Sequence, residues 1–354
     1  MRPALVLFAV MGFCSSVHAG ELPKPIAQIE LPQLLPVREE ILANVAFVTD
    51  TSIAIGLRAK YAGESKLTLL EWKNGELRPV ASTRDFGLDI LNLHRSPGGI
   101  LAVGVTGSAF FYSADLSSRR PIERVHGISP TGTIVLHRTK DGWQLQRFDS
   151  HEEVLRRGHD ELLSVSDDVV AVRQKTVLSI ETIDGRVVGS FQAPAESKCP
   201  AHVRILAGGR LYVDDCKGVR IVDFNGNTKL RMRRPKGWSA NRIGFDPASA
   251  DGNRLLSVNF SRKISFLHRA GEILVAITTL GMGVSDEVDN REEIRVVDTR
   301  TGGMCFDRLR SFPMGWASPF ENVAAISPSG DFVAVATDRH LSIYRLPSMC
   351  ASQN

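Results

Sequence analysis

The chain lacks nearly every short signature from which catalytic chemistry is read. It contains no Gly-x-Ser-x-Gly elbow, no His-Glu-x-x-His pair and no glycine-rich phosphate loop, so motif-bearing hydrolases, zincins and nucleotide binders receive no support. Cysteine is scarce, five in 354 residues, with no Cys-x-x-Cys. The common zinc sites are therefore not expected. Beyond the first residues no apolar run is long enough to span a bilayer, and membrane insertion of the mature chain is not expected. The formal net charge at pH 7 is only +4, too little for a default nucleic-acid or membrane-surface binder. No segment has convincing helical periodicity, and low-complexity tracts are absent apart from a short polar tail. A serine, histidine and aspartate can still meet across distant segments, because a triad needs closeness in space alone.

What is present is a turn repeated three times. Ser96-Pro97-Gly98-Gly99, Ser129-Pro130-Thr131-Gly132 and Ser327-Pro328-Ser329-Gly330 each separate two apolar, β-rich runs. Proline presets φ for the first corner of a tight turn, and glycine takes the positive φ that other residues avoid. The run after each turn is strand-like: Ile100-Leu101-Ala102-Val103, Thr133-Ile134-Val135-Leu136 and Phe332-Val333-Ala334-Val335. Leu91, Ile128, Val165 and Ile205 stand at equivalent points, 37, 37 and 40 residues apart, the length of a four-stranded propeller blade. Asn74-Gly75, Asp184-Gly185, Gly208-Gly209 and Asn225-Gly226 mark further hairpins.

The period breaks between Ile205 and a final unit at Ala324. Residues 243–309 hold four strand candidates, at 254–260, 273–280, 294–297 and 304–309, read here as one enlarged sixth unit. Two degenerate units are the alternative, so six or eight blades stay open beside seven. The final unit has room for three strands only. Ile26-Ala27-Gln28-Ile29-Glu30-Leu31 is an alternating run stranded ahead of the first unit. Pairing it with residues 341–346 would complete the last blade, close the ring and remove an exposed sheet edge. The expectation is all-β: a single β-propeller of seven blades, closed by the N-terminal strand.

The start of the chain reads as an export signal. Met1-Arg2 supplies positive charge, residues 4–13 form an apolar stretch too short to span a bilayer, and Val17-His18-Ala19 fits a small-x-small cleavage site. A signal peptide over 1–19 and a propeller domain over 20–354 are expected, with a secreted or periplasmic location. Cys14 follows Phe13 rather than the small residue of a lipoprotein signal. Cys199, Cys216, Cys305 and Cys350 then remain, and four cysteines pair in three ways. The expected bridges are Cys199–Cys216, around a turn-like stretch at 206–210, and Cys305–Cys350 near the C-terminus.

Ile326-Ser327-Pro328-Ser329-Gly330-Asp331-Phe332-Val333-Ala334-Val335-Ala336, with Leu341-Ser342-Ile343-Tyr344, resembles a blade of the WD40-like, YVTN-like propeller superfamily. The pattern extends over most of the mature chain and is sharpest at the three Ser-Pro turns. No Trp-Asp dipeptide ends a third strand and no Gly-His is expected ahead of a blade, which sets the chain apart from the eukaryotic WD40 proteins proper. Its overall look is similar to that of exported bacterial propellers, which carry no catalytic residues to transfer. The resemblance implies a fold rather than an activity.

Four stretches carry chemistry-bearing residues. His151-Glu152-Glu153 and His159-Asp160-Glu161 crowd polar groups into one connection, where a solvated loop is the plainer reading than a metal site. Asp286, Glu287, Asp289 and Asn290 offer the oxygen donors that Ca²⁺ takes, without the order of a preformed calcium loop. Arg231, Arg233, Arg234, Lys236 and Trp238 form the densest basic run. Guanidinium forks bind carboxylates or phosphates bidentately and an indole stacks, though an ordinary linker would look the same. Phe312-Pro313-Met314-Gly315-Trp316-Ala317-Ser318-Pro319-Phe320 is unusually aromatic for a connection. If residues 273–280 form the second strand of the sixth blade, these stretches share one rim. Arg233, Arg234, Lys236, Trp238, Asp286, Asp289 and Trp316 are the candidate ligand-binding residues.

The functional expectation is a monomeric binding or interaction scaffold for a protein or a small anionic ligand. It nominates no cofactor, metal, catalytic residue or nucleic-acid partner. A propeller enzyme, hydrolase or lyase with its site near the central channel, stays open, as does a structural component of an envelope complex.

Overall fold

Seven four-stranded antiparallel sheets hold every strand among the described residues of the computed structural model. Those residues are 24–36, 38, 41–59, 65–84, 90–104, 108–122, 125–148, 153–193, 202–215, 218–232, 241–242, 254–264, 288–312, 324–337 and 339–350. The chain enters through β1 (Ala27–Glu30) and a single helical turn, α1 (Leu31–Leu34). The first sheet holds β2 (Ile41–Phe47), β3 (Ser52–Ala59), β4 (Ser65–Lys73) and β5 (Glu76–Arg84). The second holds β6 (Ile90–Ser96), β7 (Gly99–Gly104), β8 (Ala109–Ser113) and β9 (Arg119–Ile122). The third holds β10 (Gly127–Ile128), β11 (Ile134–Thr139), β12 (Gly142–Arg147) and β13 (Val154–Gly158). In the fourth are β14 (Glu161–Val165), β15 (Val169–Gln174), β16 (Val177–Thr182) and β17 (Val187–Gln192). In the fifth are β18 (His202–Leu206), β19 (Arg210–Asp215), β20 (Gly218–Asp223) and β21 (Thr228–Met232). The sixth takes β22 (Asn241–Arg242), β23 (Arg254–Ile264), β24 (Val288–Asp298) and β25 (Met304–Phe312). The seventh takes β26 (Ala324–Ile326), β27 (Phe332–Ala336) and β28 (His340–Arg345), with β1 as its fourth strand.

Burial explains the strand sequences. β3 is buried along nearly its whole length, whereas the outer strands β9 and β17 are mostly exposed. A strand covered on both faces reads as a continuous apolar run, as Ile53-Ala54-Ile55-Gly56-Leu57 does. The covering layers lie between successive sheets. Ala54 and Leu67 of the first sheet pack with Leu93, Ile100 and Tyr112 of the second. Leu101 and Val103 meet Ile128 and Val135, and Leu145 meets Val170 and Val172. Leu178 and Ile180 meet Leu211 and Val213. Ile294 and Val296 of the sixth sheet meet Val333 and Tyr344 of the seventh. The seventh then packs on the first, with Leu341 and Ile343 beside Ile53, Ile55, Leu31 and Leu34.

The repeated Ser-Pro turns join the first and second strands of their sheets. In two of them the serine serves twice. The Ser129 carbonyl accepts from Gly132 N at 2.9 Å, and its hydroxyl accepts from Ile134 N at 3.1 Å. Ser327 repeats this with Gly330 N at 3.0 Å and Phe332 N at 3.0 Å. The glycine is demanded by space as well as by φ. Gly132 has φ +75°, and a Cβ there would lie 2.3 Å from the Arg95 carbonyl oxygen of the preceding sheet. These turns also bond to their neighbours. Ser96 Oγ donates to the Gly132 carbonyl at 3.0 Å, and Thr133 Oγ1 donates to Asp167 at 2.8 Å. Away from the Ser-Pro turns, Arg210 at the start of β19 donates to Thr299 Oγ1 in the turn after β24 at 2.6 Å.

Leu91, Ile128, Val165 and Ile205 each fall on the first strand of a sheet, where the spacing puts them. β1 pairs antiparallel with β28, Ala27 opposite Ile343 and Glu30 opposite His340. Two expectations need correction. The run 26–31 is not wholly extended, because Leu31 starts the helical turn, with Pro32 in its first positions; proline at a helix start costs no hydrogen bond. The second strand of the sixth sheet is Arg254–Ile264, paired along its length with Val288–Asp298, and not 273–280, which lies outside the described residues. The described part of 241–312 forms one sheet.

Candidate functional site

The candidate stretches flank described strands of the sixth sheet. Ile264 is opposite Val288, Asn290 is opposite Phe312, and the short β22 starts at Asn241, opposite Asn259. In the chain, residues 265–287 join the second strand to the third, 233–240 precede β22 and 313–323 follow β25. Asp289 stands on β24 opposite Lys263 in the backbone register. Arg233, Arg234, Lys236, Trp238, Asp286 and Trp316 lie outside the described residues, within those three connections.

The other polar stretch is not one connection, because β13 (Val154–Gly158) separates Glu153 at its start from His159-Asp160-Glu161 at its end. Its described groups answer to separate partners. The His159 ring N–H at Nδ1 donates to the Asp141 carbonyl. The Asp160 carbonyl accepts from Trp143 Nε1 at 2.8 Å, and its carboxylate accepts from Gln174 Nε2 at 2.9 Å. Glu161 pairs with Arg173. Among the described residues no group of three or more histidine, cysteine, aspartate or glutamate side chains is placed to hold a metal ion. Gly158-His159, at the end of β13 and two residues ahead of β14, is a Gly-His dipeptide of the kind WD40 repeats carry, and it corrects the expectation that none precedes a blade. Its glycine is enforced: a Cβ would sit 2.2 Å from the Trp143 ring.

The second and third sheets carry an arginine–aromatic stack that the sequence reading also missed. The Arg120 guanidinium lies 5.3 Å from the centre of the Phe111 ring and 4.9 Å from that of Phe148. Arg119 lies over Phe110 at 5.0 Å. The signal was Phe110-Phe111 and Arg119-Arg120 on paired strands, visible only once β8 and β9 are known to be neighbours. Charge is set locally elsewhere. The Ser113 and Ser117 hydroxyls hold the Asp115 carboxyl at about 2, and Asn227 does the same to Asp223, also at about 2. Burial pushes the Tyr112 phenol up, against the partial opposition of Arg119. Arg156 forms an ion pair with the buried Glu181 of the next sheet, donates to the Thr182 carbonyl at 3.0 Å, and lies 5.5 Å over the Trp143 ring.

Cys305 on β25 is bonded to Cys350, as expected. Cys199 and Cys216 lie outside the described residues. No helix among the described residues is long and apolar enough to cross a membrane.

No family model and no curated protein sequence matches the chain. Solved structures do. A chain of the mitotic checkpoint complex is 11% identical, with 98% of this chain and 100% of that chain covered and a TM-score of 0.52. Sqt1 of Saccharomyces cerevisiae is 9% identical over 92% of this chain and 100% of its own, with a TM-score of 0.45. BamB of Moraxella catarrhalis is 10% identical over 93% and 99%, with a TM-score of 0.42. The fold is that of a WD40-like β-propeller.

Proposed function

We propose that this chain is an exported, seven-bladed propeller that works by binding, with its recognition rim on the connections around the sixth and seventh sheets. The observation that carries the reading is the shared departure point. Ile264, Val288 and Phe312 stand at one end of one sheet. The chain before Asn241 carries Arg233, Arg234, Lys236 and Trp238, the chain from Ile264 to Val288 carries Asp286, and the chain after Phe312 carries Trp316. Arginine and tryptophan are the types most enriched among binding hot spots. Their chemistry suits a protein surface or a small anion, since guanidinium forks take carboxylates and phosphates and indoles stack. Ring closure by β1 in the last blade is supported by its register with β28 and by the apolar layer between the seventh and first sheets. Export is supported by the leader-like residues 1–19.

Photo-crosslinking tests the rim. A photoreactive residue is installed at Trp238 or Trp316, and in controls at Asp184 or Asn225, which occupy third-to-fourth-strand turns at the opposite ends of their sheets. In cells that export the protein, adducts should form from the first pair and not from the controls. Equal labelling from both ends, or labelling from the controls alone, would sink the proposal.

A further inference from the structure

Among the described residues the outer strand of each sheet pairs on one side only, and proteins blunt such edges with charge or proline to prevent stray pairing. The sequences of these strands include Pro79 in β5, Pro121 in β9, Arg157 in β13, Arg231 in β21, Arg308 in β25 and Glu30 in β1. β17, Val187-Val188-Gly189-Ser190-Phe191-Gln192, carries neither a charge nor a proline. Val187 is 57% exposed and Val188 38% exposed, and Val177, opposite Gln192 on β16, is 40% exposed. The strand is nonetheless held firmly. It pairs with β16 from Val177–Gln192 to Glu181–Val187. The fifth sheet closes on it, such that a Cβ at Gly189 would lie 2.4 Å from the Phe224 carbonyl oxygen and one at Gly226 2.6 Å from Phe191.

We propose that β17 is a docking edge, at which an extended, uncharged segment of a partner protein adds as a fifth strand to the fourth sheet. The site is separate from the rim around the sixth and seventh sheets. Main-chain hydrogen bonds supply the affinity in this mode of recognition, and alternate side chains supply the selectivity. Length argues for a peptide strand over a second copy of the chain. Six residues span about 20 Å, and contact along that line alone falls short of the roughly 1,200 Å² that a specific pair of folded proteins buries. Charge sets the chemistry of the segment. β17 itself carries no charged side chain, and Arg186 and Asp184, which precede it, are of opposite sign. A charged segment would be desolvated there without compensation.

The test uses the whole mature protein and two blocked hexapeptides, one alternating threonine and valine, the other with lysine in place of threonine. Binding is read by fluorescence anisotropy and its place by amide hydrogen exchange. The neutral peptide should slow exchange at residues 187–192, and the lysine peptide should bind about tenfold more weakly. Val188→Lys should weaken the neutral peptide by about tenfold with the circular dichroism unchanged; Ser190→Lys is the second variant should the first misfold. Three outcomes overturn the proposal: no slowing at 187–192, undiminished binding to both variants, or protection of this strand that rises with protein concentration in the absence of peptide. The last would put a second copy on the edge.

Discussion

The backbone N–H of Ser329 donates to the Asp50 carboxylate at 2.9 Å, across 279 residues of chain. Asp50 sits in the turn between β2 and β3, and Ser329 in the turn between β26 and β27. The last sheet is thus bonded to the first by the same kind of inner turn that links the second sheet to the third through Ser96 and Gly132. Asp50→Ala should lower stability by about 1 kcal/mol, the ordinary net worth of one hydrogen bond. Urea denaturation measures it; an unchanged midpoint would show that the link is idle.

Arg156 and Glu181 form an ion pair with side chains only 19% and 8% exposed. Removing one partner strands the other charge. Glu181→Leu alone should cost about 3 kcal/mol, whereas adding Arg156→Met should recover most of that loss. A double-mutant cycle checks this, and equal losses in the single and double variants would contradict it.

The acid limb of the stability curve has a local source in Asp115. Its carboxyl is held at about 2, against an ordinary 3.8, first by the Ser113 hydroxyl and then by Ser117. A lowered carboxylate contributes stability above its unfolded value and loses that contribution as pH falls through its folded value. The loss should therefore run from about pH 4 to about pH 2. Carbon-detected titration of Asp115 should show Ser113→Ala moving the carboxyl back toward the ordinary range. No movement would refute the assigned cause.

The Cys305–Cys350 bridge closes a span of 45 residues that includes the whole of the seventh sheet's β26, β27 and β28. On the chain-entropy estimate its removal should cost about 4 kcal/mol. Denaturation with and without reductant, set against Cys305→Ser, gives the value. Reductant that leaves both the midpoint and the variant's difference at zero would count against it.

Much of this fold is written in short-range chemistry. Asn74 and Gly75 adopt positive φ, +54° and +80°, as a tight hairpin requires, and the Ser-Pro turns mark the first-to-second strand corners. The sixth sheet hid for a physical reason. Its second strand continues past Phe260 through Ser261-Arg262-Lys263, where backbone pairing holds the strand and no apolar signal announces it. Residues 273–280 are more apolar and drew the strand assignment instead. Contacts such as Thr133 with Asp167 and Arg156 with Glu181 join residues of adjacent blades, and no local pattern encodes which blades are neighbours. The basic and aromatic residues of the candidate rim were visible as composition. The strand ends that flank them, Ile264 with Val288 and Asn290 with Phe312, follow from register, which composition does not carry. The bare edge of β17 was equally visible as an uncharged run, yet it acquires meaning only as an outer strand.

We propose that β1 closes the ring in the last blade, whose sheet packs on the sixth through one face and on the first through the other. Gln28 and Ser342 are opposite one another in the β1–β28 register, and directly opposite residues of an antiparallel pair are within about 5.5 Å, inside disulfide reach. Gln28→Cys with Ser342→Cys, in a chain carrying serine at Cys199 and Cys216, should crosslink within the monomer on mild oxidation. The crosslinked chain should resist both urea and deletion-sensitive proteolysis at its N-terminus better than the reduced one. Failure to crosslink, together with unchanged stability on deleting residues 20–35, would contradict the closed ring.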